Sequence, residues 1–416
     1  MVDLIICGCR VEERPQIVNV AIDAGRIVDI GPTTNLPARQ QIVLEGNVLL
    51  PGFVNPHVHL DKAFVGGLAP SGLMLDGVAR GTELKRAYTR EDIKARARRA
   101  LDLAVRHGVT ALRSPVDVDP IVGTLCVEAL VELREEYRDR IDVQVLAFPQ
   151  EGLLGIEGMH DLLARAVAEG ADVVGGRPHG DPPEALDYDR HIDDVFDIAD
   201  GRPVDMSTDA LFPAEPFDPF ALGVYRLAQA TIRRGYAPGL VTAHHVLALS
   251  AVEVGVAQPV IERIREAAMN VITLPTSNLF TEGRADPTNP RRGLTRLKDL
   301  WRAGVNVSFG TDNLDDTYLP FSNMDLLLEA YVCACAAHFG TVDERRALVR
   351  MATHNAAEIL GIEYYGIDVG RCADLVVLDT TLFDDIVTAQ PEKLYVIKSG
   401  RVVMTNKVVS ERTVED

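Results

Sequence analysis

The sequence has no apolar run approaching the roughly 18–20 residues that a membrane-spanning helix requires. Its opening, Met1-Val-Asp-Leu-Ile-Ile-Cys, places an acid where a secretory leader is basic, and the apolar run is too short for one. This stretch reads as a first β-strand, and the expected location is the cytoplasm. Basic residues are outnumbered. Lys and Arg number 42 against 61 Asp and Glu, so the net charge is −19 and the pI near 5.0. That balance argues against nucleic acid and anionic membranes as partners. Cysteine is scarce: Cys7, Cys9, Cys126, Cys333, Cys335 and Cys372 are scattered. The pairs Cys7/Cys9 and Cys333/Cys335 lie inside apolar runs and lack the CxxC spacing of zinc–thiolate sites. Free, buried thiols in a reducing compartment are expected.

What remains is an ordinary globular balance, 47% hydrophobic and 25% charged, which excludes bulk disorder. A chain of 416 residues can bury a large core and suits two structural units. Residues 1–50 contain the short runs Leu4-Ile-Ile, Ile17-Val-Asn-Val-Ala-Ile, Arg26-Ile-Val-Asp-Ile and Gln41-Ile-Val-Leu. Turn residues such as Asp23-Ala-Gly and Gly31-Pro separate them. Residues 364–416 repeat the pattern with Asp374-Leu-Val-Val-Leu-Asp, Leu394-Tyr-Val-Ile-Lys, Ser399-Gly-Arg-Val-Val-Met and Lys407-Val-Val. Neither end has enough strands for a stable sheet alone. The two are expected to pair into one β-sandwich unit, with residues 51–363 inserted between them.

The inserted stretch alternates strand and helix. Strands are expected at Val48–His59, Thr110–Val118, Asp142–Phe148, Asp172–Gly176, Pro203–Ser207, Leu240–His245, Asn270–Thr276 and Asn306–Gly310. Amphipathic helical stretches lie between most of them, including Arg90–His107, Val122–Arg138, Gly158–Glu169, Pro219–Arg234, Ala251–Ala268 and Arg292–Ala303. This alternation implies parallel βαβ units whose right-handed crossovers close into a (β/α)8 barrel, an α/β fold. Catalytic groups of such barrels sit at the C-terminal ends of the strands. His57, His59, Gln150, His179, His245 and Asp312 fall at or just after those ends.

His57 and His59 stand in Pro51-Gly-Phe-Val-Asn-Pro-His57-Val-His59-Leu-Asp61-Lys62. In a strand, residues i and i+2 share a face, so both imidazoles can aim at one metal ion. Two histidines on a solvated face is the alternative. Asp312, in Val307-Ser-Phe-Gly-Thr-Asp312-Asn313, is either a turn or cap residue or a metal ligand and general base. A carboxylate beside a metal and its water can take the water's proton. His244 and His245 are adjacent, so alternation lets only one face the barrel mouth.

Several stretches together resemble the cytosine deaminase branch of the amidohydrolase superfamily, including the N-isopropylammelide isopropylaminohydrolases. They are the His57/His59 segment above, Ala147-Phe-Pro-Gln-Glu-Gly, Gly170-Ala-Asp-Val-Val-Gly-Gly, Arg291-Arg-Gly-Leu-Thr-Arg-Leu-Lys and Tyr365-Gly-Ile-Asp-Val-Gly-Arg-Cys-Ala-Asp-Leu-Val-Val-Leu. The resemblance implies that His57, His59 and Asp312 are ligands of one divalent metal ion, zinc or iron. It makes His245 the sixth-strand histidine that polarises the attacked group or binds the metal-bound water, and leaves His244 to pack against a helix or loop. Gln150 looks like the glutamine that bonds the heterocycle edge, where otherwise it is a loop amide. Lys62 matches a lysine that contacts water or substrate, where otherwise it lies on the surface. The implied partner is a small nitrogen heterocycle or cyclic amide, and homo-oligomers are common in the family.

The pattern breaks in three places. Ser207, in Asp205-Met-Ser207-Thr-Asp209-Ala210, stands where relatives carry a fifth-strand metal-binding histidine. Ala210 replaces a proton-shuttling glutamate, and Pro115 replaces a second-strand histidine. Two histidines and one carboxylate still suit a divalent metal, but hold it less tightly. His179 and His245 can supply imidazoles, and Asp209 a carboxylate, unless Asp209 caps a helix. The expected activity is hydrolysis of a C–N bond in a small cyclic nitrogen compound. The alternative is a repurposed barrel, with the metal weak or absent, that binds a small molecule or runs a non-hydrolytic step. The loop Leu211-Phe-Pro-Ala-Glu-Pro-Phe-Asp-Pro-Phe either covers the mouth or is a packed connection. Glu282, Arg284 and Asp315 are further candidates to meet substrate.

Overall fold

The computed structural model describes residues 1–407 except 13, 15, 35, 70, 72, 212–221 and 285. The loop at 212–220 and the strand expected at 407–409 lie outside the described residues, apart from Lys407. The chain opens with β1 (Val2–Val11), β2 (Val18–Asp23), β3 (Arg26–Gly31), β4 (Ala38–Val43) and β5 (Val48–Pro51). Next come β6 (Phe53–Asn55), β7 (Val109–Asp117), β8 (Asp142–Phe148) and β9 (Val173–Gly176). β10 (Val204–Thr208), β11 (Val241–His245), β12 (Asn270–Thr273) and β13 (Asn306–Phe309) follow, and β14 (Leu375–Leu378), β15 (Lys393–Lys398) and β16 (Arg401–Thr405) end the series.

β6 to β13 pair in sequence order, each parallel to the next. The two edges meet at a bridge between Val58 and Asp312. There Asp312 N donates to the His57 carbonyl (3.0 Å), and His59 N donates to the Asp312 carbonyl (2.8 Å). This seam closes a (β/α)8 barrel. Gly310 lets the strands approach, because a Cβ on it would lie 2.5 Å from the His57 carbonyl oxygen. Val116, Val145, Val174, Met206, Ala243 and Val307 face outward and share one apolar core with helix residues such as Leu101, Leu130 and Leu163. Side chains on the alternate positions point into the barrel.

The two chain ends build one eight-stranded sheet, β16-β15-β14-β5-β1-β2-β3, with β4 also on β1. Leu4, Ile6, Val20, Leu375 and Ile397 share its core. The link is β5, which runs parallel to β1 and antiparallel to β14. The expected strand Val48–His59 is therefore two strands in two sheets. Pro51 has no N–H to continue the ladder. A Cβ at Gly52 would sit 2.3 Å from the Thr110 side chain, so only glycine lets the chain pass from one sheet to the other here.

Helix starts follow local chemistry. Thr89 accepts from Asp92 N to cap Arg90–Arg106, and Asp187 accepts from Arg190 N to cap Tyr188–Ala199. Several helices go beyond the stretches expected, two of them beside the barrel mouth. Met74–Lys85 lies between β6 and β7, and Pro275–Thr281 takes over where the strand expected at Asn270–Thr276 stops at Thr273. Proline suits a first helical position.

Glu329, in helix Leu326–Ala336, is 2% exposed and accepts from Thr276 N (3.2 Å) and Oγ1 (2.6 Å). Burial pushes its carboxyl up to about 8, against an ordinary value of 4.5. Between those values the folded chain holds a proton that the unfolded chain has released, so stability falls as pH rises through that window. Glu329→Gln keeps the shape and abolishes the titration. It is expected to gain up to about 4 kcal/mol over the parent at pH 9 and little at pH 4. Urea unfolding at both pH values checks this, and parallel pH profiles would refute it.

Candidate metal centre and pocket

The barrel seam carries the chemistry. His57 Nε2 lies 3.3 Å from Asp312 Oδ1, and His59 Nε2 lies 3.5 Å from the same oxygen. One ligand atom from each residue falls within 4.8 Å of the other two, and all three side chains are buried. His59 Nδ1 faces the Pro115 carbonyl at 3.1 Å. As an N–H donor there, it leaves the Nε2 lone pair toward Asp312, the arrangement common to metal-binding histidines. Both His57 ring nitrogens lack a hydrogen-bond partner. Burial, then Lys62 and His57, push His59 well below its ordinary pKa, so it is neutral. Burial works against the Asp312 charge, but the His57 contact holds its carboxyl below the usual range. Two imidazoles and one carboxylate oxygen, each able to offer a lone pair, fit a single divalent cation. Asp312 adopts φ 59°, a conformation Asp tolerates better than most residues.

The pocket above this triad is lined by Phe148, Gln150, Arg177, His179, Ser207, Ala210, His244, His245, Ser277, Thr281, Asn313 and Tyr318. All lie at the C-terminal ends of barrel strands or in the segments just beyond them. His244 does not pack against a helix or loop as expected. It points into the barrel, with its ring centroid 4.4 Å from that of His57. His245 reaches the same pocket because alternation breaks there: His245 has φ 70° and Val246 φ 49°. Asn278 Nδ2 lies 3.0 Å from His245 Nδ1. With that amide as donor, His245 Nε2 carries its hydrogen into the pocket. Burial pushes the His245 pKa down to about 4, so it is a neutral donor at pH 7.

Gln150, which lines the pocket, accepts at Oε1 from Lys62 Nζ at 3.2 Å. Lys62 is buried, not on the surface, and reaches the pocket through Gln150. Its other partner is Asp117 Oδ1 at 2.8 Å. Lys85 Nζ, at the end of Met74–Lys85, lies 2.7, 2.8 and 2.6 Å from Asp117, Asp119 and Glu151. These three acids could hold a cation themselves, and the lysine ammonium already fills that place. Burial opposes the Asp117 charge, but Lys62 and Lys85 hold its carboxyl down.

Asp209 is absent from the pocket lining and caps a helix instead. Its oxygens accept from Gly223 N and Val224 N, both at 2.9 Å, at the start of helix Gly223–Arg234. His179 does line the pocket, and its Nε2 accepts from Arg177 Nε at 3.2 Å. Arg177 also donates to the Gln150 carbonyl. No carboxylate pairs with Arg177 among the described residues. A buried relay sets its position: Asp181 Oδ2 holds His191 Nδ1 at 2.7 Å, and His191 Nε2 accepts from Arg177 N at 3.1 Å. Arg284 lies outside the pocket lining, donating to the Phe280 carbonyl with its guanidinium over that ring. Glu282 and Asp315 are also absent from the lining. Pro115, the second-strand departure, contributes the carbonyl that orients His59.

Among the described residues no helix is long and apolar enough to cross a membrane. The profile of the Amidohydrolase family matches residues 40–409. The N-isopropylammelide isopropyl amidohydrolase of Pseudomonas sp. (strain ADP) is 30% identical over 419 residues, covering 98% of each chain. A pterin deaminase of Rhizobium rhizogenes is 27% identical, covering 92% of this chain and 87% of its own. A 5-methylcytosine deaminase of Klebsiella pneumoniae, solved with 5-fluorocytosine, superposes with a TM-score of 0.91 at 29% identity, over 98% of this chain and 99% of that one. The chain belongs to the amidohydrolase family.

Proposed function

We propose that this protein is a metal-dependent hydrolase that cleaves a C–N bond of a small cyclic nitrogen compound. The observation that carries the reading is the convergence of His57, His59 and Asp312, with the His59 tautomer fixed by the Pro115 carbonyl. The relatives' names point the same way, since N-isopropylammelide, pterin and 5-methylcytosine are all nitrogen heterocycles. His57, His59 and Asp312 would hold a divalent cation, zinc or iron, which when bound would supply the acidity that makes water a nucleophile near neutral pH. Asp312 accepts the water's proton at its carboxylate. His245 Nε2–H donates to the group under attack, and the Gln150 amide donates to an acceptor on the ring edge. Ala210 offers no proton, so Asp312 also returns the proton that leaves with the amine.

Purification with zinc or iron, metal quantification and assay of ammonia or amine release from aminopyrimidines, aminotriazines and pterins test this. The expected result is about one cation per chain, lost together with turnover in His57→Ala. Protein that takes up no cation under metal-replete conditions would overturn it. Small-molecule binding or a non-hydrolytic step, which Ser207 and Ala210 would suit, would then stand instead.

Arg177 selects among such substrates. A buried cation without a carboxylate partner favours a ligand with an anionic or strongly electron-rich oxygen on that side. Arg177→Met is expected to raise KM for such substrates about 10–100-fold, the worth of one hydrogen bond to a charged group, with a smaller change in kcat. Steady-state kinetics against a matched uncharged substrate measures it. Equal KM changes for both substrates would refute the assignment.

A further inference from the structure

Ser207 and His244 are direct partners in the parallel pairing of β10 with β11. Paired residues of neighbouring strands point to the same side of a sheet, and both line the pocket. Ser207 is too short to reach the triad as an imidazole would. His244 is fully buried, and neither ring nitrogen has a hydrogen-bond partner. Leaving two such atoms unsatisfied costs about 1–3 kcal/mol each, and a leucine or phenylalanine would fill the space without that cost. A buried polar group with no partner calls for a ligand that the polypeptide itself does not contain. The neighbouring ring is His57, one of the triad. His245 is already committed, through Nδ1, to Asn278.

We propose that His244 is a fourth protein ligand of the cation at His57, His59 and Asp312, doing from β11 what a longer side chain at position 207 would do from β10. The inference rests on the functional reading above. His244 stands outside the group whose atoms lie within 4.8 Å of one another, so loading the site draws its ring toward the triad. The exchange also accounts for Ser207: two imidazoles from paired positions would crowd a single cation.

Chelator competition for zinc on the full chain, comparing the parent with His244→Ser and with the reciprocal pair Ser207→His/His244→Ser, tests the proposal without relying on turnover. The expected result is a loss of affinity of about 10²-fold or more in His244→Ser, with recovery to within about tenfold in the pair. X-ray absorption on the zinc-loaded parent needs no variant and is expected to count three imidazoles. Unchanged affinity in His244→Ser, or two imidazoles in the spectrum, would overturn the proposal while leaving the triad intact. A parent that binds no zinc would instead sink the reading beneath it.

Discussion

Asp312→Asn is expected to fold normally and to lose about 10²–10⁴-fold in kcat/KM, or about 2.7–5.4 kcal/mol of transition-state stabilisation. Asparagine suits the test because it tolerates φ 59° as aspartate does, so the seam survives. Alanine would mix strain with chemistry. The amide still offers an oxygen to a cation, so zinc is held more weakly but not abolished. What disappears is the only negative charge among the described pocket-lining residues, and with it the group to which the proposed mechanism assigns the proton. Melting temperature, metal content and turnover should be measured on one preparation. A variant that keeps both metal and turnover would refute the role of Asp312.

Asp205→Ala is expected to cost about 3–5 kcal/mol of stability without touching the pocket. Arg113 is 1% exposed inside the barrel. It donates to Asp205 Oδ1 at 2.8 Å, to Gln144 Oε1 at 2.9 and 3.0 Å, and to the Ile359 carbonyl at 2.9 Å. Removing the carboxylate leaves a buried guanidinium with neutral partners only. Whole domains are stable by about 5–15 kcal/mol, so this single change removes a large share. The double variant Arg113→Met/Asp205→Leu is expected to be less destabilised than Asp205→Ala, since neither charge is then stranded. Urea denaturation separates the cases. A loss below about 1 kcal/mol in Asp205→Ala would show that the pair carries little weight.

The barrel and its triad are legible in the sequence because their signals are local. Alternation makes His57 and His59 a pair, and the strand ends mark where Gln150, His179 and Asp312 stand. The remainder depends on partners distant in sequence or on backbone turns that alternation cannot express. His244 and His245 look mutually exclusive until His245 takes φ 70°. Asp209 looks available until Gly223 and Val224 bring their amides to it. Lys62 reads as a group that meets water or substrate, or else as a surface lysine, until Asp117 and Gln150 take its ammonium. Arg177 has no local signal at all, since its meaning lies in the carboxylate it does not have.

The strand ring is closed through the same three residues that form the triad, because the backbones of His57, His59 and Asp312 exchange bonds at the seam while their side chains converge. Closing the seam and bringing the three side chains together therefore coincide. A chain with all its other strands docked and this last stitch open would be catalytically silent. The return of turnover after dilution from denaturant would then act as a clock for ring closure, lagging any optical signal that reports only on the helices.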